Sequence, residues 1–444
     1  MKTLHIFHNS DLKNGVDKTT CTLMVALKKL GVEPIATVPK AGNVTEYLQA
    51  HSIRYWLIPY SCCASRSERA QLMFYGDSFA QLDSLITLIH QETPDIIHIN
   101  TGHLLHAGIA AARQKIPTIW HIHAPFAEDL TRYDSTVGTG GYIHLLKQLS
   151  SQIIGVSEDV NKSLSEHLPP DRIETLYNGI DIDELLQSAK SSSTDIRTEL
   201  GLSADAKLVI GVGRISAQKD FAAFARIAAK VRKLKSDCYF VVAGPRQEPA
   251  AVSLLENEVA QNQLSNRLFI LGPRDDIAAL LAQSTIFLST AIFEGQGIAA
   301  LEAMALDTPP VAMACAGLRE CIAHEHDGIL VDPGDEDTAA AAILRLLDNP
   351  ELVEKLTTNA RISVAKKFSS REYAKRFLSV ADAAIAYGPA TMSSQELDLL
   401  SGLLAQINNA HLRLLNLEQQ TLGQRIKGIL WELRQKLKAK SNTS

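Results

Sequence analysis

Two glutamates, an arginine, a lysine and a histidine carry most of the chemistry legible in this sequence. Glu294-Gly295-Gln296-Gly297-Ile298-Ala299-Ala300-Leu301-Glu302 follows a strand-like run, Thr285–Leu288, and enters a helix-like stretch, Ala299–Leu306. Two glycines let the backbone approach a ligand closely, and the amides at a helix start hold anions. The carboxylates stand eight residues apart, one in the loop and one about a turn into the helix. Both can accept hydrogen bonds from the hydroxyls of one sugar or ribose. The same residues also read as a glycine turn with two surface glutamates. Upstream, Val212-Gly213-Arg214-Ile215-Ser216-Ala217-Gln218-Lys219 closes another strand. Two cations just past a strand's carboxyl end suit a diphosphate, and a solvated basic loop is the plainer alternative. Along Pro117-Thr118-Ile119-Trp120-His121-Ile122-His123-Ala124-Pro125, strand alternation puts His121 and His123 on one face. No third metal ligand accompanies them. They suit hydrogen bonding to a ligand or a proton relay, and ordinary structural histidines are the other reading.

The elements that must hold these residues repeat in two series. Leu4–His8, Glu33–Pro39, Ile53–Pro59, Ile96–Asn100, Thr118–His123 and Ile153–Val156 are strand candidates, with helix-patterned stretches between several of them. The pattern lapses across Ser188–Asp205, where Asp195–Leu200 has helical spacing. It restarts at Leu208–Val212, Tyr239–Ala243, Arg267–Leu271, Thr285–Leu288, Pro310–Ala314 and Gly328–Val331. Alternating strands and helices predict parallel sheets covered on both faces, and ligands of such sheets lie at the strands' carboxyl ends. The expected fold is α/β: two facing Rossmann-like doubly wound domains plus a C-terminal helical extension. The expected boundaries are 1–186, 187–387 and 388–444.

The chain has 444 residues, 46% hydrophobic and 21% charged, which excludes a wholly disordered or fibrous protein. Its net charge of −5 excludes a general nucleic-acid binder. Residues 388–444 nevertheless hold seven Lys/Arg against four Asp/Glu, so a basic tail follows an acidic body. Six scattered cysteines, with no C-x-x-C pair, fit free thiols in a reducing cytosol. The N-terminus reads as a first strand rather than a signal peptide. No run reaches the ~18 apolar residues of a membrane span.

In order, the motifs are Asn14-Gly15-Val16-Asp17, Pro117 to His123, Tyr177-Asn178-Gly179-Ile180-Asp181, Gly213-Arg214 to Lys219, Gly272 to Asp276, and Glu294 to Glu302-Ala303-Met304-Ala305. Gly317-Leu318-Arg319-Glu320 and Gly328 to Asp335 complete the series. This series resembles the retaining GT-B fold glycosyltransferases of the glycosyltransferase family 4 group, over roughly residues 1–385. The resemblance implies that Arg214 and Lys219 hold the diphosphate of a nucleotide-sugar donor and stabilise the leaving group. It implies that Glu302 binds the ribose hydroxyls and Glu294 the donor sugar, assisted by amides near Gly297 and Ile298. His123 would lie near the reacting sugar, and Gly15 would let the first loop pass the diphosphate. Transfer would proceed with retained configuration and without a metal or other cofactor, onto a glycan or lipid-linked acceptor in polysaccharide or lipopolysaccharide biosynthesis. The implied setting is cytoplasmic, with peripheral attachment at the inner membrane face left open.

Three residues depart from the family pattern: Gln296 stands where an aromatic is usual, Asp307 and Asn14 where glycines are common. They suggest altered sugar preference. Two other functions stay open, a non-catalytic sugar-nucleotide-binding or scaffold protein and a dinucleotide-dependent oxidoreductase. The latter needs a third glycine, where Ser216 stands, and an acidic anchor about 20 residues after Gly211, whereas Asp237 lies further on. In the tail, apolar residues recur every three or four positions from 395 to 440, with Trp431 among basic residues. That pattern serves self-association, packing on the body or a membrane surface. Arg66 and Arg69 can meet an anionic acceptor or simply be solvated.

Overall fold

Strands here are short and apolar on both sides, the mark of sheets covered on both faces. A computed structural model describes residues 1–60, 81–124 and 138–402. In the first half, β1 (Lys2–Ile6), β2 (Glu33–Val38), β3 (Arg54–Leu57), β4 (Ile96–Ile99), β5 (Thr118–Ile122), β6 (Gln152–Gly155) and β7 (Ile173–Thr175) form a parallel sheet in the order β3-β2-β1-β4-β5-β6-β7. In the second, β8 (Lys207–Val212), β9 (Cys238–Ala243), β10 (Leu268–Gly272), β11 (Ile286–Ser289), β12 (Pro310–Met313) and β13 (Ile329–Val331) follow the order β10-β9-β8-β11-β12-β13. Strand order reverses between β1 and β4 and again between β8 and β11. A crevice opens at the carboxyl ends of each reversal. These are two Rossmann-like doubly wound halves. Only β7 escapes the sequence pattern: Ile173-Glu174-Thr175 is a three-residue edge strand, exposed at its centre, and carries no apolar run.

The helices that matter for the site are α1 (Gly15–Lys29), α2 (Leu105–Arg113), α3 (Glu158–Ser165), α4 (Ile182–Ser191), α5 (Phe221–Arg232), α6 (Ile298–Ala305), α7 (Pro350–Lys367) and α8 (Ser370–Tyr387). The chain crosses between halves at Asn178-Gly179. The expected break at 186/187 falls inside α4. Leu185 of α4 is already buried with Leu208 and Ile210 of the second sheet. Gly179 is needed there, since a Cβ would fall 2.6 Å from Tyr373 Cβ and 2.9 Å from the Ser369 carbonyl. α8 then returns to the first half. Its buried stripe, Tyr373, Ala374, Phe377, Val380, Ala381 and Ala384, packs on Leu23 and Leu27 of α1 and on Ile96, Ile119 and Ile154 of the sheet. Gly388, at φ +93, ends the helix.

The start of the C-terminal extension packs on the body. Leu397 is buried in the first half's core with Leu400 against it, and Arg113 of α2 pairs with Asp398 at 2.8 Å. The rest of the tail with Trp431, together with Cys62, Cys63, Arg66, Arg69 and residues 125–137, lies outside the described residues. Among the described residues no helix is long and apolar enough to cross a membrane.

A row of histidines crosses the first sheet beneath α8. His5 Nδ1 and His98 Nδ1 are 2.9 Å apart, and His98 Nε2 is 3.2 Å from His121 Nδ1. Phe377 packs against the rings of His5 and His98. Burial lowers His5 from 6.5 to about 3 and holds His98 and His121 well below the usual value. These rings are neutral in the fold but take protons once unfolded. Stability therefore falls with acid, by up to about 1.4 kcal/mol per excluded proton and pH unit. Buried Asp17, pushed up to about 8, acts in the opposite sense, since the folded form keeps a proton that the unfolded chain loses. One carboxyl opposes several histidines. Urea midpoints should therefore drop steadily from pH 6.5 to about 4; equal midpoints across that range would contradict neutral burial of the row.

Candidate active site

The two reversal points face one another, and at one point their backbones pack directly. A Cβ on Gly295 would fall 2.1 Å from the His123 carbonyl oxygen, so only glycine lets the β11 loop meet the end of β5. Behind it within the second half, a Cβ on Gly317 would fall 2.6 Å from the carbonyl oxygens of Glu294 and Gly295, so Gly317 lets that loop keep its place. Across the cleft, Lys13 Nζ reaches Asp275 Oδ1 at 2.9 Å. Lys18 of α1 forms an ion pair with Glu302 of α6. Glu320 accepts from the amides of Glu158 and Asp159 at the start of α3, at 2.8 and 3.1 Å, and from the Tyr177 hydroxyl at 2.9 Å. A carboxylate on a helix N-terminus is favourable in itself. Here it also ties the halves together.

The second half supplies the charged wall. β8 ends at Gly213, φ +152, with Gly244 so close that a Cβ there would be 1.9 Å from the Gly213 carbonyl oxygen. The chain then turns, with Asp220 capping α5 through the Ala223 amide. Lys219 folds back over Gly213 and forms an ion pair with Glu294. Arg214 is exposed to the cleft, held by Gln247 at 2.8 Å and Gln218 at 3.2 Å. Gln218 in turn donates to the Phe293 carbonyl at 3.0 Å. Arg214, Lys219 and Glu294 thus form one connected group. Glu302 is buried on α6, whose first residues, Gly297 at φ +89 and Ile298, have no side-chain cap on their amides. Each lysine bonds Oε1 of its carboxylate. A carboxylate has about four acceptor sites, so each retains capacity for hydroxyl donors.

The first half supplies the opposite wall. Gly15 opens α1, and a Cβ there would point into open space. His123 lies at the end of β5 with Nε2 3.1 Å from Asn100 Oδ1. His121 does not join it in the cleft; it is buried in the histidine row, with its ring stacked at 4.1 Å on His123. Among the described residues no cluster of His, Cys, Asp or Glu is arranged to hold a metal. Lys18, Gln218 and Asn100 were not singled out from sequence. Lys18 was findable as a cation one turn beyond Gly15, whereas neutral amides give no such signal.

Comparison with known proteins agrees with this geometry. The sequence profile described as Glycosyltransferase Family 4 matches residues 13–184, and that described as Glycosyl transferases group 1 matches residues 192–363. The chain belongs to the glycosyltransferase family 4 group. It is 26% identical over 74% of its length to an Escherichia coli UDP-Gal:alpha-D-GlcNAc-diphosphoundecaprenol alpha-1,3-galactosyltransferase, covering 84% of that protein. It is 29% identical over 54% of its length to an uncharacterized glycosyltransferase of Methanocaldococcus jannaschii, covering 62% of that protein. Its fold is similar to Anabaena HepE, solved with UDP and glucose, at a TM-score of 0.71 and 19% identity, over 86% of this chain and 100% of HepE.

In this glycosyltransferase the three departures from the family pattern each make contacts within the scaffold. Gln296 is buried, and its side chain accepts from the Asn178 amide at 2.6 Å and donates to the Asn178 carbonyl at 3.0 Å. It pins the crossing chain. Asp307 sits past α6 at φ +62 and pairs with Arg361 of α7 at 2.9 Å. Asn14 caps α1 by accepting from the Val16 amide at 3.1 Å. Gln296→Leu should destabilise the protein by about 2–4 kcal/mol in urea unfolding, because two buried backbone groups lose their partners. It should leave the ranking of donor sugars unchanged. Asp307→Gly trades a strained backbone for an exposed ion pair and should stay within about 1 kcal/mol of wild type.

Proposed function

We propose that this glycosyltransferase moves a sugar from a nucleotide-diphosphate donor to a glycan or lipid-linked acceptor, with retention of anomeric configuration. The convergence of Arg214 and Lys219 with the Glu294/Glu302 pair at the β8/β11 reversal carries the proposal. In this reading Arg214 and Lys219 neutralise the diphosphate as the anomeric C–O bond breaks and charge builds on the leaving oxygen. That charge balance needs no bound metal. Glu302 accepts from the ribose hydroxyls, Glu294 from the donor sugar, and the Gly297 and Ile298 amides face the same ligand. The acceptor hydroxyl attacks from the leaving-group face and gives its proton to the departing diphosphate. His123 lines the sugar site from the first half. Gly15 leaves room for the phosphates.

The relatives support this choice of substrates: one is named for a UDP-Gal donor and a diphosphoundecaprenol-linked acceptor, and HepE was solved with UDP and glucose. In this reading the acceptor is lipid-linked and the reaction belongs to polysaccharide or lipopolysaccharide assembly, at the cytoplasmic face of a membrane.

Melting curves against UDP-, GDP-, ADP- and TDP-sugars test the donor directly. At 100 times its dissociation constant, the true donor stabilises the fold by about 2.7 kcal/mol. A folded protein stabilised by no member of the panel would refute the proposal. Arg214→Ala and Lys219→Ala should each lower turnover by at least ~10-fold through lost charge-assisted contacts. Unaltered rates in both would mean that the diphosphate binds elsewhere.

A further inference from the structure

The two ring nitrogens of His123 are not equivalent, and the reason lies in the neighbouring strand. Nε2 is 3.1 Å from Oδ1 of Asn100, the residue that follows β4. The orientation of that amide is set from its other side, where Nδ2 lies 3.4 Å from the Val16 carbonyl oxygen in the first turn of α1. A carbonyl oxygen only accepts, so the amide nitrogen must face it; the flipped amide would oppose two oxygens. Val16 cannot easily turn away. Its carbonyl also takes the Thr19 and Thr20 hydroxyls, each at 3.0 Å, and its amide is held by Asn14 at 3.1 Å. Oδ1 of Asn100 therefore faces His123, and it too only accepts. The ring proton must sit on Nε2, and the lone pair on Nδ1.

The surroundings keep that ring neutral. His121 stacks on it at 4.1 Å from the same strand. Burial above all holds His123 well below its usual value, and His98 on β4, His8 after β1 and His103 in the loop after β4 add to it by opposing a further positive charge. Asp17 of α1 lies behind His8 at 3.3 Å. The facing loop of the second half presents the Gly295 backbone, flanked by the Lys219–Glu294 pair. A neutral imidazole has one donor and one acceptor. Asn100 uses the donor.

We propose that Asn100 is a positioning residue for glycosyl transfer: it fixes His123 as the Nε2–H tautomer, so that Nδ1 accepts a hydrogen bond from a sugar hydroxyl in the cleft. The proposal rests on the glycosyl-transfer reading of the site. A purely structural Asn100 would only space β4 from α1. In the opposite tautomer Nδ1–H would donate to the hydroxyl oxygen and could not accept that hydroxyl's proton.

The test has a spectroscopic and a kinetic arm. In the full-length protein labelled with ¹⁵N-histidine, the His123 signals are assigned by their loss in His123→Gln. Wild type should show a protonated Nε2 and a bare, pyridine-type Nδ1. Asn100→Leu should lose this preference, and Asn100→Asp should keep the ring doubly protonated to a higher pH than wild type, since a carboxylate favours the charged form. In the second arm, release of nucleoside diphosphate from the best donor is followed. Turnover should fall at least ~10-fold in Asn100→Leu while the donor dissociation constant stays within ~3-fold. A wild-type ring protonated on Nδ1, or Asn100→Leu with wild-type spectrum or turnover, overturns the proposal. Should the leucine variant not fold, the wild-type spectrum and Asn100→Asp still decide it. Failure of the donor reading is separate, because it shows as the absence of any melting shift by nucleotide sugars in the wild-type protein.

Discussion

A parallel sheet buried on both faces leaves one place for chemistry, the carboxyl ends of its strands where their order reverses. Here that constraint applies twice. Each half has a single reversal, β1/β4 or β8/β11, and neither half carries all the groups that the other needs. The second half has Arg214, Lys219 and the carboxylates, the first Lys18, the open glycine turn and the cleft histidine. The proposed site therefore requires the two reversals to meet. The crossing at Asn178-Gly179, the return of α8 and the Glu320 carboxylate on α3 all serve that meeting. So do the glycines. Gly295 and Gly317 stand where any side chain would drive the loops apart by ångströms.

Charge in the cleft is arranged in pairs. Lys219 with Glu294 and Lys18 with Glu302 place each carboxylate of the site against a cation. The first pair lies within the second half; the other spans the cleft, and the Glu302 carboxylate holds Lys18 above its usual ammonium value. A buried carboxylate without a partner is costly, which gives the lysines a structural purpose before any ligand arrives. In the proposed donor complex, ribose and sugar would bring neutral hydroxyls to carboxylates with acceptor sites to spare. Among the described residues Arg214 is held by neutral amides, so its charge would remain for the diphosphate in that reading.

Much of this was legible in the sequence because period and punctuation carried it. Twelve strands were marked by apolar runs, and the glycines and charges after β8 and β11 marked the site. What escaped has physical reasons. β7 is three residues long, and its edge position demands no apolar alternation. Asn100 and Gln218 act through amide direction, which composition cannot display. Gln296 lies within the Glu294-to-Glu302 motif, where the sequence suggests contact with a ligand. Its hydrogen bonds turn the other way, to a backbone 118 residues distant.

The first turn of α1 is where these threads join. Within Asn14 to Lys18 it caps itself through Asn14, anchors Asn100 through the Val16 carbonyl, opens to the cleft at Gly15 and reaches Glu302 through Lys18. Further along the same helix, Leu23 and Leu27 are buried against α8, which the chain reaches only after completing the second half. One helix therefore meets the second half through Lys18 and the returning α8 through Leu23 and Leu27. In the proposed arrangement the same first turn sets the His123 tautomer, through the Val16 carbonyl and the Asn100 amide. Packing that holds α1 in place thus also holds the carbonyl on which that tautomer depends.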